Sequence, residues 1–374
     1  MLALLLMLIF IRPFISSLAF PYIDFIYSFL LLSSLILWLV RKGVPSKDIT
    51  FLRFPLILFI SAIFVSVFFS QAPLRSIENS VNLLMGLILL AFGLSMVPEE
   101  KEKVILWMVV SSLFVSVLAF YQYAFGFKHL LDYVSKNKIS DPFILEYIER
   151  KRAFLPFVTP NVLGGYLAMV LPLTWKKKRR ILFIAPLAIA LLLTKSLSAL
   201  LSIFIGMLIY FYFEGGLGKK KIIFLSSFGI IILLVLMARI ATQKEHLHPV
   251  FSTVMRLNYW HDTLKIIKAF PWTGVGLGNF DLTYSRYAHN SYLQIWAEMG
   301  ILGILSFLWL IIYVFKSALT NLSNPDERNS TIGLMTAGFV FLAHNFLDFT
   351  FFLPEVSTLW WLILGLMISK KQTL

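Results

Sequence analysis

Cysteine is absent from the 374 residues. The chain therefore forms no disulfide and performs no thiol chemistry, and its cysteine usage says nothing about compartment. Charge is scarce as well, at 14% of residues, and the acids are fewer than the bases, with 19 Asp and Glu against 33 Lys and Arg. The polar loops hold no DxD or ExD pair and no HxxxH, the usual spacings for a metal site. A GxSxG elbow is also missing, which removes the common serine-hydrolase reading. There is no internal repeat, and no soluble domain of any size is appended.

What the sequence has in excess is apolar residues, at 59%. Apolar runs of about 18 residues or more mark helices that cross a bilayer. Such runs, with one shorter one, fall at about 2–20, 22–40, 54–70, 77–97, 104–126, 157–175, 181–194, 197–213, 222–241, 291–316, 331–349 and 356–369. The expectation is an all-α integral membrane protein of about 12 transmembrane helices, with residues 1–374 forming one polytopic membrane domain. The first run is interrupted by Arg12 and Pro13 and lacks a small-residue cleavage site, so it reads as a retained first span. The seventh, 181–194, is short and reads as tilted, broken or extended into its flanks.

The formal net charge of +14 would suggest nucleic acid for a soluble domain. Its distribution argues otherwise. Basic residues cluster at Arg41-Lys42 to Arg53, Lys101 and Lys103, "KKKRR" (176–180), "KKK" (219–221), Lys316 with Arg328, and Lys370-Lys371. These loops alternate correctly with the twelve runs. The bias places both termini in the cytoplasm and leaves no reason to invoke nucleic acid.

Two long loops then fall on the outer side, about 127–156 and 242–290. The second joins the ninth and tenth runs. Within it Val254, Leu257, Trp260, Leu264 and Ile267 recur at helical spacing, while Arg256, Asp262, Lys265 and Lys268 lie mainly elsewhere on the wheel. That is an amphipathic helix with Trp260 as an interfacial anchor. Pro271 ends it, and "TGVGLGN" (273–279) turns the chain back. The glycine spacing there follows no strand and opens no helix, so it is not a dinucleotide fingerprint.

Candidates for chemistry are few. His246 and His248 beside Glu245 form the one loop trio with ligand types, and solvated loop residues are the ordinary reading of such a trio. No metal or cofactor is expected. His289 stands at the outer mouth of the tenth run, Arg256 on the outer helix, and Arg152 at the end of the first outer loop. Alone, each arginine is an ordinary exposed residue, His289 an interface residue, and Asn290 or Ser291 a helix cap. Together they suit one chemistry. Guanidinium groups clasp phosphate without a metal, and a neutral histidine takes a proton from a hydroxyl. His344, with Asn345 and Asp348 in the eleventh run, is either a polar tie within the bundle or part of a substrate cavity.

The segments "RLNYWHDTLKIIKAFPWTGVGLGNF" (256–280) and "AHNSYLQIWAEMGILGIL" (288–305) resemble the O-antigen ligase and O-antigen polymerase superfamily. The matching positions include Arg256, Trp260, Pro271, Gly274, Gly276, Gly278, Phe280, His289, Asn290, Leu293, Glu298, Gly300 and Gly303. "TPNVLGGYLAMVLPL" (159–173) and residues 343–366 are similar to further family segments. The resemblance implies a metal-independent, inverting glycosyltransferase in the bacterial inner membrane, with its active site at the periplasmic face. Its donor would be a glycan on undecaprenyl diphosphate, and its acceptor a hydroxyl such as that of lipid A–core. A polymerase joining lipid-linked repeat units, a protein O-oligosaccharyltransferase and a non-enzymatic lipid-glycan transporter are the alternatives. By resemblance His289 is the general base and Arg256 holds the diphosphate. Relatives carry T-x-S-R after the seventh span, whereas this chain has Leu197 in place of the arginine. Lys195 and Arg152 are the two cations placed to substitute for it. Asn290, Trp260, His344 and Asp348 are expected to support the site.

Overall fold

The computed structural model describes residues 1–43, 46–139, 142–175, 181–241 and 251–369. The "KKKRR" run, Lys370-Lys371 and the Glu245, His246 and His248 trio lie outside the described residues. Fifteen α-helices follow one another in these segments. They are α1 (Leu2–Ile11), α2 (Pro21–Lys42), α3 (Ser46–Phe68), α4 (Pro73–Leu94), α5 (Pro98–Tyr121), α6 (Phe127–Lys136), α7 (Pro142–Glu149) and α8 (Pro160–Val170). After them come α9 (Ile181–Thr194), α10 (Leu197–Phe213), α11 (Lys219–Ala241), α12 (Phe251–Ala269), α13 (Ser291–Asn321), α14 (Pro325–His344) and α15 (Pro354–Ile368). Among the described residues there is no strand, only an isolated bridge between Leu282 and Ser285.

Proline opens α2, α4, α5, α8, α14 and α15, where its missing N–H has no intrahelical partner to lose. Thr159, Ser196, Asn290 and Asn324 cap the helices that follow them. Among the described residues, five helices are long and apolar enough to cross a membrane: α2, α4, α5 with its continuation to Lys136, α11 and α13. Shorter apolar helices occupy Leu2–Phe14, Leu52–Phe68, α9, α10 and α15. The expected runs at 157–175 and 331–349 correspond to α8, extended by a 3-10 turn through Thr174, and to α14.

Small residues bring the helices close. Gly93 of α4 packs on Gly365 of α15, where an added Cβ would come within 2.2 Å of the Leu90 carbonyl. Beside them α13 packs along α3, and α10 along α14. Every residue of α8 except Asn161 is buried, and so is every residue of α15. At the other extreme, Leu225 is the one buried apolar residue among the described side chains of α11.

Two expectations need correction. The first run does not continue to residue 20, because α1 ends at Ile11 and Arg12–Phe14 form a 3-10 turn. Arg12 is buried there, 2.8 Å from Asp24, with its Nε donating to the Pro354 carbonyl. A buried guanidinium needs such partners, and these stop the helix from running straight on. Second, Asp348 is not in the helix of the eleventh run. It lies in the loop after α14, which ends at His344. On α12 most of the apolar stripe is uncovered: Val254, Leu257 and Leu264 are exposed and Trp260 is half-buried, while Ile267 is buried with Tyr259 and Thr263.

The tenth helix is broken. Within α13, Gly300 has φ +64 and ψ −170, a backbone that L side chains rarely adopt. The glycine-rich turn fills the gap. Val275 N donates to the Ala297 carbonyl (2.9 Å), Gly276 N to the Glu298 carbonyl (3.0 Å) and Ile301 N to the Pro271 carbonyl (2.9 Å). A Cβ on Gly300 would lie 2.0 Å from the Trp272 carbonyl oxygen, and one on Gly274 would lie 2.3 Å from the Glu298 carbonyl carbon. The turn is thus a plug that satisfies the backbone of a split helix, as apolar surroundings require.

Candidate functional site

His289 stands two residues before α13 in a left-handed conformation, φ +50. That conformation is uncommon for a residue with a Cβ and persists only where the surroundings fix it. On one side Asn290 caps α13, its Oδ1 accepting from Tyr292 N at 3.0 Å and Leu293 N at 3.1 Å. On the other, Ala288 N donates to Gln294 Oε1 at 3.1 Å. Gln294 Nε2 in turn donates to Glu298 Oε1 at 3.0 Å, and Glu298 Oε2 accepts from Gly278 N at 3.0 Å. One buried Gln–Glu pair therefore ties the glycine-rich turn to the backbone beside His289.

The imidazole is held by aromatic rings. It stacks on Tyr259 of α12 at 5.4 Å, and Tyr259 stacks on Tyr284 at 5.5 Å. Phe349 meets the imidazole edge-on at 4.8 Å and stacks on Tyr287 at 4.1 Å. Nδ1 is buried with no hydrogen-bond partner. Burial lowers the imidazole from 6.5 to about 4, opposed by the negative charge of Asp348 and reinforced by the positive charge of Arg256. His289 is thus neutral at pH 7.

Asp348 and Phe349 are set in place by Asn345. Ser291 Oγ donates to Asn345 Oδ1 at 2.7 Å, Asn345 Oδ1 also accepts from Phe351 N at 2.9 Å, and Asn345 Nδ2 donates to Thr350 Oγ1 at 2.9 Å. This pins the loop after α14 to the start of α13. Asp348 Oδ1 accepts from Phe349 N, and its Oδ2 lies 3.7 Å from His344 Nε2. Both side chains are wholly buried. A Cβ on Gly165 of α8 would fall 2.4 Å from the His344 ring, so that glycine makes room for it.

Arg256 is half-buried on α12 and has no ion-pair partner among the described residues. Its Nε is buried without a hydrogen bond, as is Nε1 of Trp260 one turn on. The charge of Arg256 is felt by His289, Tyr259 and Arg152. A guanidinium with no ion-pair partner among the described residues, within electrostatic range of a neutral imidazole, suits an anion.

The other cations gather at the turn between α9 and α10. Arg152 is buried, its Nε donating to the Thr194 carbonyl at 3.2 Å and its Nη2 to Asn161 Oδ1 at 3.0 Å. Asn161 Oδ1 also accepts from Ser196 Oγ at 3.0 Å. Arg152 thus reaches the turn where the T-x-S-R relatives have their arginine and this chain has Leu197. Lys195 does not. Its Nζ donates to the Arg150 carbonyl at 2.6 Å, and burial, then Arg152, Lys151 and Arg150, hold its ammonium below the usual lysine range.

The structure therefore brings His289, Arg256 and Asp348 together, with His344 behind Asp348 and Arg152 within electrostatic range. Sequence reasoning missed Tyr259, Phe349, Asn161 and Gln294. Tyr259 sits three residues after Arg256, one helical turn, a spacing that puts both on one face. Asn161 lay within the quoted "TPN" segment, with no signal that it would bridge Arg152 and Ser196.

Comparison with known proteins agrees with the motifs. No curated protein matches the chain. The family model described as O-Antigen ligase matches residues 181–308, which run from α9 through Arg256, the glycine-rich turn and His289 into the second half of α13. With the apolar helices, this match supports a multi-pass membrane protein with O-antigen ligase-like or polymerase-like activity in general, and it assigns residues 181–308 to the O-antigen ligase and polymerase superfamily.

Proposed function

We propose that the protein is a glycosyltransferase that moves a glycan from undecaprenyl diphosphate to a hydroxyl of an acceptor such as lipid A–core, at the periplasmic face of a bacterial inner membrane. In this reading about twelve helices span the bilayer, both termini are cytoplasmic, and the 242–290 loop is periplasmic. The observation that carries the proposal is the neutral, ring-clasped imidazole of His289 within electrostatic range of Arg256, which has no ion-pair partner among the described residues.

The chemistry follows from those groups. His289 accepts the proton of the acceptor hydroxyl as that oxygen attacks the anomeric carbon. The new C–O bond forms on the face opposite the breaking bond to the diphosphate oxygen, so the configuration inverts. Electrons of the broken bond leave with the lipid diphosphate, and Arg256 and Arg152 meet its growing charge. The buried carboxylate of Asp348 stabilises the imidazolium formed at His289. Arginines alone supply this electrostatic stabilisation, so no step calls for a metal ion.

The test is transfer by purified protein in proteoliposomes containing an undecaprenyl-diphosphate glycan. Lipid A–core, a second lipid-linked repeat unit and a serine peptide are offered as separate acceptors. Product with lipid A–core, lost in His289→Ala, supports the proposal. Product with only one of the other two acceptors replaces it with a polymerase or protein-transferase reading. Movement of the lipid-linked glycan across the bilayer without transfer replaces it with a transporter.

A further inference from the structure

The rings that clasp His289 do not end at Tyr259. Tyr284 is stacked on Tyr259 at 5.5 Å with the planes 27° apart, as Tyr259 is stacked on the imidazole at 5.4 Å and 21°. Tyr259 is buried, whereas Tyr284 is 49% exposed. The three rings form a ladder that runs from the base out to a phenol with half its surface open.

That outermost ring is held in place from several directions. It sits in a tight turn closed by Leu282 and Ser285, whose backbones exchange hydrogen bonds at 3.0 and 3.1 Å. Leu282 packs against the cluster of Ile267, Phe280, Ala288 and Ala297, which joins α12 to α13. The Tyr284 hydroxyl donates to Asp262 Oδ2 on α12. A ring fixed before a ligand arrives costs that ligand little ordering entropy.

Asp262 makes the edge of the ring polar. Its Oδ1 accepts from Lys265 Nζ at 2.8 Å and lies 3.4 Å from His261 Nδ1. The hydrogen bonds from Lys265 and Tyr284 hold the Asp262 carboxyl down at about 2, and the bond to Asp262 pushes the phenol up to about 12. At neutral pH the carboxylate is ionised and the phenol keeps its proton. A flat ring with a carboxylate and an ammonium at its edge matches a pyranose, which has one face of C–H groups and a rim of hydroxyls.

Position decides which sugar it meets. Arg256, Tyr259 and Asp262 follow one another along α12 in steps of three. Asp262 is therefore about 9 Å further along the axis than Arg256, with Tyr259 and its stacked imidazole at the step between them. In an inverting displacement the attacking hydroxyl and the leaving group stand on opposite sides of the anomeric carbon. With the diphosphate at Arg256, the side of the base toward Asp262 and Tyr284 belongs to the acceptor.

We propose that the exposed ring of Tyr284, with the Asp262 carboxylate at its edge, is a subsite for a pyranose of the acceptor glycan, next to the sugar that carries the attacking hydroxyl. This rests on the proposed function for the direction of transfer. It adds a residue that reads the acceptor beyond its reacting sugar.

The experiment compares two acceptors with the full chain in proteoliposomes. One is lipid A–core with its complete core glycan, and the other an alkyl glycoside of the reacting sugar alone. The wild type should prefer the complete acceptor in kcat/KM, and Tyr284→Ala should shrink that preference by about tenfold, roughly 1.4 kcal/mol. Tyr284→Trp should keep it, because a flat ring remains. Asp262→Ala should shrink it several-fold, and it leaves the packing of Leu282 alone, so it serves where Tyr284→Ala does not fold. A ring that only props Tyr259 would slow both acceptors by one factor, so an unchanged preference in Tyr284→Ala and Asp262→Ala would overturn the proposal. Binding separates this subsite from the transfer itself. Delipidated core oligosaccharide, added to the protein in nanodiscs, should receive NMR saturation on its ring protons from the wild type and lose it in Tyr284→Ala. That loss without any transfer by the wild type keeps the subsite and sinks the proposed function. Transfer with equal saturation from both proteins does the reverse.

Discussion

The base should work over an unusually acidic range for a histidine. Burial against Tyr259 and Phe349 lowers the His289 imidazole from 6.5 to about 4, and Arg256 pushes the same way. At about 1.4 kcal/mol per pH unit the difference corresponds to roughly 3 kcal/mol against the charged ring. The sign is fixed by which form is active. The neutral ring accepts the proton, so kcat/KM should be flat from about pH 8 down to about pH 5 and fall only as pH approaches 4. An ordinary histidine would already lose half its activity near 6.5. Tyr259→Ala removes one face of the clasp and admits water, which should move the acid limb up toward 6.5. Asp348→Asn acts the other way, because it removes the one negative charge that favours the imidazolium. Its acid limb should drop further, and kcat should fall at every pH because the transition state loses that stabilisation. The assay is initial-rate glycan transfer in detergent micelles across pH 4–8. A wild-type limb near 6.5, or a limb that stays put in Tyr259→Ala, would refute the reasoning.

Other outcomes follow from the same geometry. Arg256→Ala should cost about 100-fold or more in kcat/KM, with Arg256→Lys recovering part of it, since an ammonium supplies charge without the planar fork; steady-state kinetics on the donor reads this. Arg152→Ala should raise the donor KM, and adding Leu197→Arg should recover much of the loss by restoring a guanidinium at the α9–α10 turn; unchanged KM in both variants would show that this turn does not meet the donor. Gly300→Ala combines a left-handed backbone with a Cβ driven against the Trp272 carbonyl oxygen. It should destabilise the fold by about 3 kcal/mol or more, visible as a lowered thermal transition in detergent. On the proposed mechanism, in which arginines stabilise the leaving group, transfer should be unchanged by EDTA.

Much of the helical plan was legible because apolar runs dominate the sequence and hydropathy alone marks them. What failed was local. Arg12 read as a break in a span, and nothing in the sequence linked it to Asp24 and Pro354, which only the packed bundle brings near. Gly300 read as one glycine of a helix, yet it is where α13 splits, and the donors that fill the gap come from a turn some 25 residues earlier in the chain. The periodicity of α12 identified a helix with an apolar stripe, most of which is exposed, but gave no sign that Tyr259 and Thr263 on another face pack inward. His289 was legible from its place before an apolar run. Its clasp was not, because Tyr259 and Phe349 arrive from separate elements. Leu197 exposed a missing arginine, and the sequence left Lys195 and Arg152 as equal substitutes. Their hydrogen bonds differ: Arg152 donates to the Thr194 carbonyl and to Asn161, and Lys195 to the Arg150 carbonyl.

The central claim is that His289 takes the proton of an acceptor hydroxyl while a lipid diphosphate departs. The most direct test is single-turnover transfer from undecaprenyl-diphosphate glycan to lipid A–core in proteoliposomes, comparing wild type with His289→Ala. The account predicts product with inverted anomeric configuration from the wild type and, from the variant, a rate lower by about 100-fold or more. Equal rates, or product with retained configuration, would contradict it.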